Sequence, residues 1–358
     1  MAQAAASGLL IAGLIISCTP SQKPVLPGLF IKLDSINPIL APGAGQFTCP
    51  ILKSKVAWEA KDVFNPAAVV KDGKVWLLYR AEDTIGRFNG TSRIGIATSE
   101  DGIHFTRQPE PVLYPDHDEM FQYEWEGGIE DPRVVNRPDG GYMMTYTAYD
   151  GKTARLCIAF SEDLVHWKKG GTVLKDKFLN TWSKSGAMVV ERSGNAMVAK
   201  KINGKFWIYF GDTDLFIAWS EDLRNWHPIV ADGKLISVLK PRPGKFDSRL
   251  VESGPFAIWH ADQIMLMYNG MNLNVGGDST IPEGAYCSGK AYFDSQNPAK
   301  LLARDENFFL RPDKPYEIEG QVNQVCFIEG LVYFNNKWFL YYGTADSKIA
   351  VAVAENEF

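Results

Sequence analysis

The sequence predicts an all-β chain, specifically a five-bladed β-propeller, on three observations. The decapeptides "IATSEDGIHF" (96–105), "IAFSEDLVHW" (158–167) and "IAWSEDLRNW" (217–226) share I-A-x-S-E-D-x-x-x-aromatic, a period of about 60 residues. Apolar runs rich in aromatic and β-branched residues recur as "VWLLYRAED" (75–83), "YMMTYTAYD" (142–150), "FWIYFGDTD" (206–214), "IMLMYNGMN" (264–272) and "WFLYYGTAD" (338–346). No stretch shows convincing helical periodicity. Units of this length built from strands alone fit radial sheets better than a sandwich or a βαβ array.

In chain order, "GLLIAGLIIS" (8–17) comes first, an apolar run too short to span a bilayer but suited to a signal-peptide core. It runs into Ile15-Ile16-Ser17-Cys18, which resembles a bacterial lipobox, although residues 1–7 carry no Lys or Arg. That resemblance implies a lipoprotein signal peptide over 1–17, lipidation of Cys18, and attachment to the cell envelope by that lipid anchor alone. Residues 18–28, including "TPSQKPVLPG", read as a proline-rich tether, and 29–358 as a single propeller domain. Within it, Asp72-Gly73-Lys74, Asp139-Gly140-Gly141 and Asn203-Gly204-Lys205 are turns that open the recurring apolar runs, so each run belongs to a hairpin. The S-E-D tripeptides sit at strand-to-strand turns, where Ser and Asp side chains bond nearby backbone and the following Phe or Trp packs between blades. The residues just after the apolar runs differ from copy to copy: Arg80, Thr147, Gly211-Asp212 and Asn269. A propeller aims such places at its central funnel, so function is expected there.

Composition narrows the partners. The chain has 358 residues, 46% of them hydrophobic and 12% aromatic, enough for a large core. Its net charge of −5 comes from 42 acids and 37 bases without long runs, so no basic stripe invites nucleic acid. Cys49, Cys157, Cys287 and Cys326 form no CxxC and have no paired His spacing, so neither a metal site nor a cofactor is expected. Cys157, Cys287 and Cys326 lie in strand-like runs and read as small buried hydrophobes.

"EWEGGIEDPRVV" (124–135) is the most pointed stretch. It occurs once, ahead of the second blade's first strand, which Val134-Val135 enter. Gly127 and Gly128 allow close backbone approach, while Pro132 fixes φ and disfavours helix at Asp131. The loop is built to point a carboxylate. The bland reading is an acid that caps a turn and pairs with Arg133.

With these residues in view, the chain resembles glycoside hydrolase family 130, the mannoside phosphorylases and β-mannosidases. The resemblance covers nearly all of 30–355 and rests on "FNPAAVV" (64–70), "LLYRAED" (77–83), "SRIGIATSEDGIHF" (92–105), "GGIEDPRVV" (127–135), "FDSRLVESGP" (246–255), "YEIEGQVNQVCFIEG" (316–330) and "YYGTADSKIAVA" (341–352), in the family's order. It implies that Asp131 is the general acid, passing its proton to the glycosidic oxygen through a mannose hydroxyl, for which a raised pKa is expected. It further implies that Asn65, Arg80, Ser92 and Arg93 grip the mannosyl unit; Arg80 or Arg93 could instead simply neutralise the acidic loop. Trp58, Trp125 and Tyr286 are candidate sugar platforms.

The nucleophile is the branch point. As the resemblance has it, the phosphorylases carry Tyr-His-Gly at the end of the fourth-blade strand and then a Tyr-Arg pair. Here those places read Tyr268-Asn269-Gly270 and Tyr286-Cys287, two cationic groups fewer, while Arg155 and Lys184 remain. Hydrolysis needs a second carboxylate to activate water, and Glu252 in "RLVESGP" and Asp212 in "YFGDTD" are placed for it. The family's hydrolases use two glutamates in this region, so Glu252 ranks first. The expectation is an exo-acting, inverting β-mannoside hydrolase of β-1,2-linked mannose. The alternatives are a phosphorylase of β-1,4-mannosyl-glucose or mannosyl-N-acetylglucosamine, and a non-catalytic carbohydrate-binding propeller.

Overall fold

In the computed structural model, which describes residues 27–355, five antiparallel units follow one another and the fold is all-β. Unit one comprises Asp62–Lys71, Lys74–Glu82, Ser92–Ser99 and Thr106–Arg107. Unit two comprises Gly128–Asn136, Tyr142–Tyr149, Ala154–Ser161 and Lys168–Thr172. Unit three has Ala187–Ser193, Phe206–Phe210, Phe216–Ser220 and His227–Pro228, with an extra strand, Ala196–Ala199, on its first. Unit four has Leu250–His260, Gln263–Met271, Tyr286–Asp294 and Leu301–Arg304. Unit five has Cys326–Phe334, Lys337–Thr344 and Lys348–Ala354, and its fourth strand comes from the other end of the chain: Ile31 and Lys32 pair with Val353 and Ala352. The expected signal peptide, Cys18 and nearly all of the tether lie outside the described residues.

The first strands of the units lie against one another. Val189 and Val190 of unit three pair in parallel with Ala257 and Ile258 of unit four, and the strands Asp62–Lys71 and Cys326–Phe334 are neighbours. Asp62–Lys71 also borders Gly128–Asn136, and Leu250–His260 borders Cys326–Phe334. Alternating apolar residues between neighbouring units form the core; the largest cluster joins Met143, Ile208, Met265 and Leu340 of four different units.

The S-E-D repeats are turns. Ser99, Ser161 and Ser220 accept backbone N–H groups at Gly102, Leu164 and Asp222, while Asp101, Asp163 and Asp222 accept those of His104, His166 and Asn225. These bonds satisfy donors that the sheet leaves unpaired. The aromatic that ends the first repeat, Phe105, meets Tyr341 of unit five edge-on at 5.8 Å. All four described cysteines are buried and free.

One irregularity connects fold to site. The pairing of the first two strands slips between Phe64 and Pro66, between Glu130 and Arg133, between Ser253 and Ala257, and between Ile328 and Gly330. A bulge turns its extra residue out of the sheet's alternation. Asn65 (φ 45°) and Asp131 (φ 48°) occupy two of these bulges in the left-handed region. The bulge holds Asp131 in that region against the extended preference a following proline imposes, at a cost of order 1–3 kcal/mol. Gly128 has φ 115° and lies so close to Ser92 that a Cβ would stand 2.3 Å from the Ser92 carbonyl oxygen. That contact seats the acid-bearing strand against unit one.

Candidate active site

Four carboxylates gather around one guanidinium. Arg80, near the end of unit one's second strand, donates from Nη2 to Glu82 Oε1 (2.7 Å) and Glu130 Oε1 (2.9 Å), and from Nη1 to Asp131 Oδ1 (3.2 Å). Its Nε donates to Ser92 Oγ at 3.0 Å, and the guanidinium lies 4.7 Å from the Phe64 ring centroid. Glu82 is also held by Lys61 at 2.9 Å. Asp346 of unit five, in the left-handed region at φ 48°, is the fourth acid, close enough for its charge to act on Arg80.

The acids divide by proton affinity. Burial alone would raise Asp131, yet Arg80 and Lys184, helped by a 2.9 Å bond from Asn65 Nδ2, hold its carboxyl down at about 2. The expectation of a raised value at Asp131 is reversed, because the nearest full charges are cations. Glu130 and Asp346 are pushed up to about 7, by burial first and then by the neighbouring acids against the pull of Arg80. One guanidinium cannot keep so many buried carboxylates ionised near neutrality.

The facing wall is simpler. Lys184 Nζ stands 3.0 Å from Glu252 Oε1, and Ser185 Oγ donates to the same oxygen at 3.3 Å. Glu252 is buried, and that burial raises its pKa against the opposing pull of Lys184. Asp212 is half-buried and accepts the Trp182 indole N–H at 2.5 Å. Tyr286 faces the same group: burial pushes its phenol up, and the charges of Glu252 and Lys184 act on it.

Arg133 joins the two walls from beneath. It does not pair with the Asp131 carboxylate; its Nη1 donates to the Asp131 carbonyl (3.2 Å), Nη2 to the Ser253 carbonyl (2.8 Å) and Nε to the Gly254 carbonyl (2.6 Å). Glu329 Oε2 lies 3.4 Å from Nη2, and neither carboxylate oxygen accepts a hydrogen bond. Asn65 Oδ1, Thr147 Oγ1 and Ser253 Oγ are likewise buried without a hydrogen-bond partner.

The structure thus brings Asn65, Arg80, Ser92, Asp131, Lys184, Asp212, Glu252 and Tyr286 of the expected set into two facing groups. Four others make side-chain hydrogen bonds elsewhere. Arg93 packs over Phe47 (5.1 Å) and donates to Asp83 at 2.6 Å. Arg155 donates to Asp150 and Asn180, each at 2.8 Å. The Tyr268 hydroxyl donates to Asp247 and receives Arg304. Asn269 is clamped to the backbone of Ile328 through both amide atoms, at 2.8 and 3.1 Å. Of the expected platforms, Trp58 is fully buried, its indole on the Pro109 carbonyl, and Trp125 stacks on Phe121 at 6.3 Å. The sequence reading did not nominate Glu82, Glu130, Asp346 or Glu329. Asp346 ends the fifth apolar run, where Asp83 and Asp150 end the first two, so run alignment could have found it; nothing local marks Glu329 inside a strand.

Comparison with known proteins places this geometry. The family model described as Glyco_hydro_130, beta-1,4-mannooligosaccharide phosphorylase, matches residues 47–358. A 1,2-beta-oligomannan phosphorylase of Thermoanaerobacter sp. (strain X514) is 32% identical over 334 residues, covering 91% of this chain and 97% of that protein. A glycosyl hydrolase from Bacteroides ovatus superimposes with a TM-score of 0.89 at 44% identity, over 92% of this chain and 94% of that one. A structure from work on glycoside hydrolases within the GH130 family of mannoside phosphorylases that target β-1,2-mannosidic linkages in Candida mannan gives 0.89 at 44% identity, over 93% and 97%. The chain belongs to glycoside hydrolase family 130.

Proposed function

We propose that this protein is an exo-acting, inverting β-mannoside hydrolase that releases mannose from β-1,2-linked manno-oligosaccharides. The fold we propose for it is a five-bladed propeller, a reading supported by the contacts between first strands and by the strand Ile31–Lys32 that joins unit five. The observation that carries the activity is the Lys184–Glu252 pair: a buried carboxylate whose one close cation is already committed to it. A phosphorylase must hold a phosphate dianion at that place, which calls for free guanidinium or ammonium donors. Arg80 is shared by three carboxylates, Arg133 by backbone carbonyls, and Arg155 by Asp150 and Asn180.

In this reading the mannosyl unit lies between the walls. Its hydroxyls meet the unpaired Asn65 Oδ1 and Ser253 Oγ, and the carboxylates of Glu130 and Asp346. Glu252 takes a proton from water as the oxygen attacks the anomeric carbon. The glycosidic C–O bond breaks, and the leaving oxygen is protonated by a mannose hydroxyl that draws its own proton from Asp131. Asp131 must be protonated for that step, although it is ionised without substrate. A bound sugar that takes over the Asn65 and Arg80 donors and excludes water moves its pKa upward, and Glu130 and Asp346 keep protons beside it near neutrality. Arg93, Tyr268 and Asn269 then serve the scaffold. Proton NMR during cleavage of β-1,2-mannobiose tests the scheme: α-mannose appears first from the non-reducing unit, and β-mannose would exclude inversion.

A second reading is favoured by the named relatives, which include phosphorylases: phosphate held by Lys184 and Arg155 after both leave their present partners. In that reading Glu252 and Asp212 are not bases. We also carry forward the envelope location by a lipid anchor at Cys18, tested by fatty-acid labelling that a Cys18→Ser variant should lose.

A further inference from the structure

Three aromatic rings run along one side of the candidate site. Phe88, in the loop before unit one's third strand, meets Tyr149 with ring centroids 6.3 Å apart and planes at 63°. Tyr149 meets Trp182 at 6.1 Å and 64°. The row is anchored to both walls. Tyr149 pairs in register with Gly128 of the acid-bearing strand, and the charge of Glu130 acts on its phenol. Trp182 donates its indole N–H to Asp212 and stands two residues before Lys184.

The rings are held in place yet remain open to solvent. A Cβ on Gly127 would sit 2.3 Å from Tyr149 Cδ1, and a Cβ on Gly151 would sit 2.2 Å from Phe88 Cε2, so two glycines make the space these rings fill. Arg87 covers one side of Phe88 at 4.6 Å and is itself tied to Glu126 at 3.5 Å. Trp182 nevertheless keeps 46% of its surface exposed, and Phe88 and Tyr149 are only half-buried. Large aromatics left exposed beside a polar site, and positioned from behind, suit a ligand with both apolar C–H faces and hydroxyl edges. A pyranose ring has both.

We propose that Phe88, Tyr149 and Trp182 form a binding platform for the leaving-group side of the substrate, so that manno-oligosaccharides with two or more sugars beyond the scissile bond are cleaved in preference to the disaccharide. This rests on the reading of the two walls as a β-mannoside-cleaving site. Tyr149 stands beside the strand that carries Glu130 and Asp131, where the leaving oxygen must be protonated, and the row continues from it to Trp182 at Asp212. The polar edge is supplied by Asp212 and by the backbone around it.

The test is chain-length dependence. The kcat/KM values of the wild type and of Trp182→Ala and Phe88→Ala variants are measured on β-1,2-linked manno-oligosaccharides from the disaccharide to the pentasaccharide. In the wild type, kcat/KM should rise from the disaccharide to the tetrasaccharide. In each variant the tetrasaccharide-to-disaccharide ratio should fall by about three- to tenfold, the worth of one aromatic contact. A wild-type kcat/KM that does not change with length, or variants that lower all lengths by the same factor, would overturn the platform while leaving the β-mannoside reading intact. Failure to cleave the disaccharide and every longer chain would overturn both. Sedimentation of the wild type and Trp182→Ala identifies the rival occupant: a dimer in the wild type that the variant dissolves would assign the exposed ring to a second copy and refute the platform.

Discussion

The two walls of the site use charge in opposite ways. Around Arg80, Glu82, Glu130, Asp131 and Asp346 share one guanidinium, whereas Glu252 forms a 3.0 Å pair with Lys184. The first wall holds more carboxylates than its cations can keep ionised and so retains protons near neutrality. In the second, burial raises the Glu252 carboxyl while its single ion pair with Lys184 pulls the other way. In the proposed reaction the first wall would give a proton and the second accept one, a division that rests on how the carboxylates are paired rather than on an unusual residue type. Arg133 fixes their separation by bonding carbonyls of both strands.

The largest effects should come from removing the one group that distinguishes each wall. Asp131→Asn and Glu252→Gln should each lower kcat by at least about 100-fold with the fold retained, read by steady-state kinetics and circular dichroism. Turnover near the wild-type rate in Asp131→Asn would remove that residue from the proton path. Exogenous azide should rescue neither variant if the reaction inverts, because an inverting reaction forms no glycosyl-enzyme.

A smaller effect should appear in pH dependence. Glu130 and Asp346 are raised from ordinary values of 4.5 and 3.8 to about 7, so they bind protons more tightly in the folded chain than in the unfolded one. The stability they confer is complete below the unfolded values and is lost as pH rises through about 7. The kcat/KM of the free enzyme should decline over the same upper range. Asp346→Asn should flatten the fall in Tm between pH 5 and 8, ordinary assay limits around that value of about 7; an unchanged slope would place the retained proton on Glu130 alone.

Asp212 should matter least. It is half-buried and bonded to Trp182, while Glu252 is the proposed base. Asp212→Asn should lower kcat by less than about tenfold, the equivalent of about 1.4 kcal/mol. A loss as large as that of Glu252→Gln would make the two acids joint bases and break the asymmetry between the walls.

Much of this was legible in the sequence because the repeats carry it. The S-E-D turns and the five apolar runs appear as turns and second strands, since turn chemistry and strand composition are local properties. The pairing of Ile31–Lys32 with Lys348–Ala354 was not legible, because a two-residue strand carries no pattern. At the site, Asp131, Arg80, Lys184 and Glu252 could be named from motif and position. The direction of the Asp131 shift could not, because it depends on Arg80 of unit one and on Lys184 of the segment before unit three. Nor could the sequence separate Asn269, clamped on Ile328, from a residue open to the site; both stand at the end of the same kind of apolar run.

The most direct test of the central claim is the phosphate dependence of β-1,2-mannobiose cleavage, with mannose and mannose 1-phosphate both quantified. With Lys184 committed to Glu252 and Arg80 to its carboxylates, free mannose should form at the same rate without phosphate and at millimolar phosphate, and mannose 1-phosphate should not accumulate. A strict requirement for phosphate, with mannose 1-phosphate as the product, would contradict the hydrolase and assign Lys184 and Arg155 to the phosphate.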